Sequence, residues 1–209
     1  MKKIFLPALA AVAMLASCSD LKNPAEVNEA SEATADTAVV FDNGRSAEGM
    51  VNSAANATEN AVEDAFTIND AEMRDAKMEE IDLPEIKVRE NDRLNLYGLD
   101  EEVLFDTDKA IIKPTATRAL SEIGASINRR YQGKQVRVLG FADSRGSKDY
   151  NMDLARERAA AVKEWLVTKG MMKADMVSLE SMGEKNPVAT NATPAGRQQN
   201  RRVEIAVLK

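Results

Sequence analysis

The stretch Gly140-Phe141-Ala142-Asp143-Ser144-Arg145-Gly146, followed by Tyr150-Asn151, Leu154 and Arg158-Ala159, is where an extended apolar run gives way to a helical one. Upstream, Gln135 to Phe141 is β-like, centred on Val136, Val138 and Leu139. Downstream, Leu154, Ala161, Val162, Trp165 and Leu166 suit the inward face of a helix from about Lys148 to Lys169, which Gly170 ends. Further out, Lys113-Pro114 opens a helix with proline in its first turn, and Leu120, Ile123 and Ile127 mark its buried face. Val103, Leu104 and Phe105 suggest a short strand before it. Val177 to Met182 and Arg202 to Leu208 supply two more strands, with a short helix over Gly196 to Asn200 between them. The order β-α-β-α-β-β predicts an α/β sandwich over residues 99–209, with helices on one face of a small mixed sheet and loops left at its edge for recognition. Trp165, Leu166 and the methionines read as core filling.

The rest of the chain has another character. Of the net charge of −6, residues 19–99 hold 19 acidic and 7 basic side chains, while residues 100–209 hold 15 and 19. Residues 18–98 are rich in Ala, Asn, Glu, Asp, Thr and Ser, a composition that buries too little apolar surface to offset chain entropy. They are expected to form an acidic, mostly disordered tether, partly helical around 46–81, where Val51, Ala55, Val62, Phe66, Met73 and Ile81 recur. A flexible coil of about 80 residues has a root-mean-square reach of roughly 50 Å.

Lys2 and Lys3 precede an apolar run from Ile4 to Ala16, the charged and apolar regions of a secretory signal over residues 1–17. The run is too short to cross a bilayer comfortably. It ends in Leu15-Ala16-Ser17-Cys18, and a lone cysteine in an exported chain has no intramolecular disulfide to make. These four residues resemble a bacterial lipobox. The resemblance implies acylation of Cys18, a mature chain beginning there, and a stable membrane anchor, because several acyl chains hold where one holds only marginally. Ser19 after the cysteine favours the outer membrane, with the protein facing the periplasm.

The stretch from Gly140 to Ala159 resembles the G-x-T-D-x-x-G … Y-N-x-x-L-x-x-x-R-A signature of OmpA-like domains. Phe105-Asp106-Thr107-Asp108-Lys109 and the terminal Gly196-Arg197 with Asn200-Arg201-Arg202-Val203-Glu204 look like that family's first and last blocks, and Asp143-Ser144-Arg145-Gly146 is similar to its peptidoglycan-associated lipoprotein branch. The resemblance implies a partner, the diaminopimelate-bearing stem peptide of peptidoglycan. The free end of that residue offers an ammonium and a carboxylate on one carbon. By carry-over Asp143 would accept the ammonium and Arg158 would clamp the carboxylate. Asn151 would support the loop or donate to the ligand; Thr107, Asp108 and Leu154 would line the pocket, and Arg202 would add a donor. Ala142 stands where the family commonly has Thr, and Ala155 where many members have a small polar residue. An Asp143–Arg158 salt bridge internal to the domain is the alternative reading of that pair.

The chain has no histidine and no second cysteine, no G-x-S-x-G, and no constellation of metal ligands. A non-enzymatic protein without cofactor or metal is therefore expected. The competing reading is a structural adaptor lipoprotein whose tether binds another envelope protein. Export disfavours nucleic acid as a partner.

Overall fold

Strand formation here follows alternation. In Val136–Phe141 (β4), Val136 and Val138 face one side of the sheet, and Arg137, Leu139 and Phe141 face the other. The same holds for Arg202–Leu208 (β6), where Val203, Ile205 and Val207 share the first face. The computed structural model describes residues 61–209, so the leader and Cys18 lie outside the described residues. Its other elements are β1 (Arg74–Asp75), β2 (Lys87–Glu90), β3 (Leu94–Asp100), α1 (Glu101–Leu104), α2 (Thr117–Arg130), α3 (Lys148–Thr168), β5 (Val177–Gly183) and α4 (Pro194–Asn200). They build a six-stranded mixed sheet in the order β1-β2-β3-β6-β4-β5. Only β4 and β5 pair in parallel, and α3 supplies the long crossover that a parallel pair requires.

The first sheet face carries the larger core. Leu120, Ile123 and Ile127 of α2 and Ala159, Val162 and Leu166 of α3 pack on Tyr97, Leu99, Val136, Val138, Val203, Ile205 and Val207. Each large aliphatic removed from water contributes roughly 1.5–3 kcal/mol, enough for these two amphipathic helices to fix the fold. Ser147 caps α3 by accepting from the Tyr150 amide at 3.2 Å. The crossing of α3 over β4 is unusually close: a Cβ on Gly140 would lie 2.1 Å from the Ala155 carbonyl oxygen. Gly140 and Ala155 therefore set the distance between the two elements.

The expected tether needs correction. Its last segment is part of the domain: β3, expected to lie in the tether up to residue 98, is a central strand paired along its length with β6. The helix expected around 46–81 is confined, among the described residues, to the turn 61–65. Beyond it the apolar residues act as separate anchors rather than as one helical stripe. Phe66, with Val62, Ile68 and Met73, covers Leu94, Leu96, Leu139, Phe141 and Ala206 on the second sheet face. Met78 joins the first core, and next to it Glu80 accepts from Arg130 and from Ser126 at 2.8 Å. The hydrogen bonds from Arg130, outweighing burial, bring the Glu80 carboxyl down to about 2. Burial pushes the Tyr97 hydroxyl up to about 12, while it shares a 2.8 Å hydrogen bond with Ser126. The expected strand at 103–105 is also corrected. Glu101 to Leu104 form one helical turn, and only Phe105 bridges, to Ile112. Acidic residues at a helix start are favourable, and this turn buries Leu104 without extending the sheet.

No helix among the described residues is long and apolar enough to cross a membrane.

Candidate functional site

At the end of β4 the chain leaves the sheet through Ala142 into the loop Asp143 to Ser147. Gly146 adopts φ 86°, a left-handed conformation that costs other residues more, and this turns the loop into α3. Asn151, in the first turn of α3, braces the loop from below. Its amide nitrogen reaches the carbonyls of Asp143 (3.1 Å) and Arg145 (2.6 Å) and the Glu184 carboxylate (2.9 Å). These hydrogen bonds tie Asn151 to the loop.

Asp143 is 4% exposed. Its carboxylate accepts from the Arg145 amide at 2.9 Å, the Arg145 Nε at 3.0 Å and the Arg201 Nη1 at 2.8 Å. Burial pushes the Asp143 carboxyl up, but the hydrogen bonds from Arg145 and Arg201 prevail and hold it below the usual carboxylate range. Arg158 is 3% exposed and approaches from the middle of α3. Its Nε donates to the Lys109 carbonyl at 3.1 Å and its Nη2 to Glu101 at 2.5 Å, while its guanidinium stands 5.6 Å from the centre of the Phe105 ring.

The direct salt bridge between Asp143 and Arg158 is not formed. The two are joined by a relay in which Arg201 pairs with Asp143 through Nη1 and with Glu101 through Nε, and Glu101 pairs with Arg158. Five charged groups thus meet where β4, α1, α3 and the start of β6 converge: three guanidiniums, counting Arg145, against two carboxylates. Glu184, bonded to Asn151, and Asp108, near Arg145, add negative charge around them, and the hydrogen bonds of Arg158 leave its Nη1 uncommitted among the described residues. Arg145 has a side chain 63% exposed, so it can leave Asp143 at little cost; Arg201, at 26%, is more firmly held.

The loop carrying Thr107 and Asp108 lies against Arg158 through Lys109. Both residues are exposed, and Asp108 takes φ 55°. Leu154 is half-buried on α3, one turn before Arg158. Arg202 is a correction: it points to the opposite sheet face, where it pairs with Glu204 and stacks 3.7 Å from the Phe141 ring centre. Alternation decides this, because neighbouring residues of a strand face opposite ways and Val203 faces the helices. Its predecessor Arg201 is the one that reaches Asp143, and Glu101 was not foreseen at all. The pair Arg201-Arg202 signals an arginine at this point, and the inward position of Val203 was the available clue to which one.

Fold and site together define an α/β domain whose rim concentrates ion pairs at the mouth of a strand–loop–helix unit. Residues 104–201 match the model of the OmpA family, and the chain carries an OmpA family domain over that span. It is 36% identical over 112 residues to a probable lipoprotein, YiaD, of Escherichia coli strain K12, covering 54% of this chain and 50% of that protein. It is 38% identical over 107 residues to outer membrane protein A of Bordetella avium, covering 51% and 54%. The chain thus spans about half the length of these relatives. Among solved structures, the cell wall anchor of the type VI secretion system of Pseudomonas aeruginosa is similar at TM-score 0.54 and 28% identity, over 59% of this chain and 87% of that one. The periplasmic domain of Helicobacter pylori MotB shares the fold at TM-score 0.56 and 22% identity, over 66% and 87%.

Proposed function

We propose that this domain grips peptidoglycan non-covalently through the diaminopimelate of its stem peptide, and that acylation of Cys18 holds the chain to the outer membrane, facing the periplasm. The observation that carries the reading is the meeting of a buried carboxylate, Asp143, and a buried guanidinium, Arg158, at one rim. The ligand's ammonium would take the place of the exposed Arg145 on Asp143. Its carboxylate would meet the uncommitted Nη1 of Arg158, and Arg201 would stay as the fixed link. Charge-assisted hydrogen bonds contribute about 1.5–3 kcal/mol each, so one site gives modest affinity, and holding the wall relies on many sites acting together. The similarity to a cell wall anchor and to a probable lipoprotein supports both halves of the reading. No enzymatic step is proposed: the rim offers cations and carboxylates already paired, and the chain has no histidine or second cysteine.

Calorimetric titration of the full chain with stem peptides tests the contacts. A diaminopimelate peptide should bind, and a lysine peptide, which lacks the side-chain carboxylate, should bind at least tenfold more weakly. Arg201→Ala should weaken binding of the diaminopimelate peptide, and Arg202→Ala should leave it unchanged. Equal binding of the two peptides would show that Arg158 does not read the carboxylate.

A further inference from the structure

Among the described residues, the sheet face opposite the two long helices is only partly covered. Residues 62–73 lie over its centre, and beside them, over β2, β3 and β6, the face opens into a groove of about 580 Å³. Arg202, displaced from the rim described above, forms part of its floor. So do Arg89 and Glu204. The Arg89 Nη2 at 2.7 Å and the Arg202 Nε at 2.8 Å converge on the same oxygen, Glu204 Oε1. Glu204 is 3% exposed, and its second oxygen, Oε2, is buried with no hydrogen-bond partner among the described residues. A buried acceptor left unpaired is costly and calls for a donor.

Gly98 is the second observation. It sits in register between Lys87 and Glu204, on the groove side of β3. Its backbone is ordinary, and a Cβ there would meet only ordinary contacts, the nearest being Lys87 O at 3.6 Å, Lys87 Cβ at 3.7 Å and Glu204 Cγ at 3.9 Å. Neither backbone nor packing demands glycine. What a side chain would do is fill the groove, and glycine inside a strand often marks the close approach of a ligand.

The charges select the ligand. The charged side chains that line the groove, Lys87, Arg89 and Arg202 against Asp75, Asp100 and Glu204, balance, and Arg89 also pairs with Asp70 at 2.8 Å. A cationic donor reaching Glu204 would be repelled by Arg89 and Arg202, whereas a neutral hydroxyl would not. At the rim, Lys87 and Asp100, 2.8 Å apart, set a donor beside an acceptor, the arrangement that a hydroxyl, being both, matches. We propose that this groove is a second binding site, for a short stretch of pyranose glycan, with a hydroxyl donating to Glu204 Oε2. The choice of the wall's own glycan over other saccharides rests on the peptidoglycan reading; the groove itself does not.

The test titrates the full chain with a peptide-free N-acetylglucosamine tetrasaccharide and, separately, with lipopolysaccharide core oligosaccharide, following saturation by calorimetry. The tetrasaccharide should bind saturably. Gly98→Val should weaken it at least tenfold while leaving diaminopimelate peptide binding intact, which also reports a native fold. Asp143→Ala should do the reverse. Preference for the core oligosaccharide would overturn the assignment to the wall glycan. The site is refuted if neither saccharide binds, as in a groove holding water alone, or if Gly98→Val binds as the wild type does.

Discussion

Asp143 has two arginine neighbours of unequal permanence. Arg145 is mostly in solvent and Arg201 is tied to Glu101, so a ligand ammonium can replace the first without dismantling the second. The same contacts set the pH response. The folded carboxyl titrates below its ordinary value of about 3.9, so more of it is ionised at that pH than in the unfolded chain, and the ionised form is lost as pH falls through the lower, folded value. Wall binding should therefore persist through pH 4 and fail below it, and Asp143→Asn should bind weakly at every pH. Sedimentation with wall fragments from pH 6 to pH 2.5 checks this; failure already at pH 5 would point to another carboxylate. At this scale Asp143 and Arg158 are singled out by the resemblance of residues 140–159 to the family signature, not by residue type or spacing alone. Their link through Glu101 is not legible there, because it joins residues 57 positions apart in sequence.

Elements bring these residues together by one tight crossing. The helix α3 can hold Arg158 beside the loop of Asp143 only because Gly140 presents no side chain to Ala155. Gly140→Val should lower stability by about 1–3 kcal/mol or more through overpacking, and weaken ligand binding in those molecules that still fold. Thermal denaturation followed by titration separates the two effects. The crossing also gives Ala155 a reason to be small. Helices α2 and α3 and strands β4, β5 and β6 could be read from period and punctuation, since each has several apolar residues at one spacing. Strand β2 could not: Val88 is its one buried apolar residue between charged neighbours. The hairpin after it did leave a trace in Asn91, whose side chain accepts from the amides of Arg93 and Leu94 at 2.9 and 2.8 Å, an Asx turn before the alternating run of β3. An average over 80 residues of acidic composition hid that local pattern.

At the scale of the molecule, the domain is larger than its motif blocks. The family match begins at residue 104, yet β3 lies between β2 and β6, and Phe66 covers the centre of the second sheet face. A fragment of residues 99–209 should therefore fail to unfold cooperatively, while residues 61–209 should give a single sharp transition; circular dichroism melting of the two compares them directly. The second face also explains the apolar residues Val62, Phe66, Ile68 and Met73 in the described part of the acidic segment: they attach it to the sheet.

The central claim is that the full chain holds the wall through Asp143 and Arg158, and sedimentation with purified diaminopimelate-type sacculi is its most direct measurement. It is done at a temperature where wild type, Asp143→Ala and Arg158→Ala all show native circular dichroism. The wild type should pellet with the sacculi while both variants stay in the supernatant. Variants that pellet as well as the wild type, or a wild type that does not pellet, would contradict it.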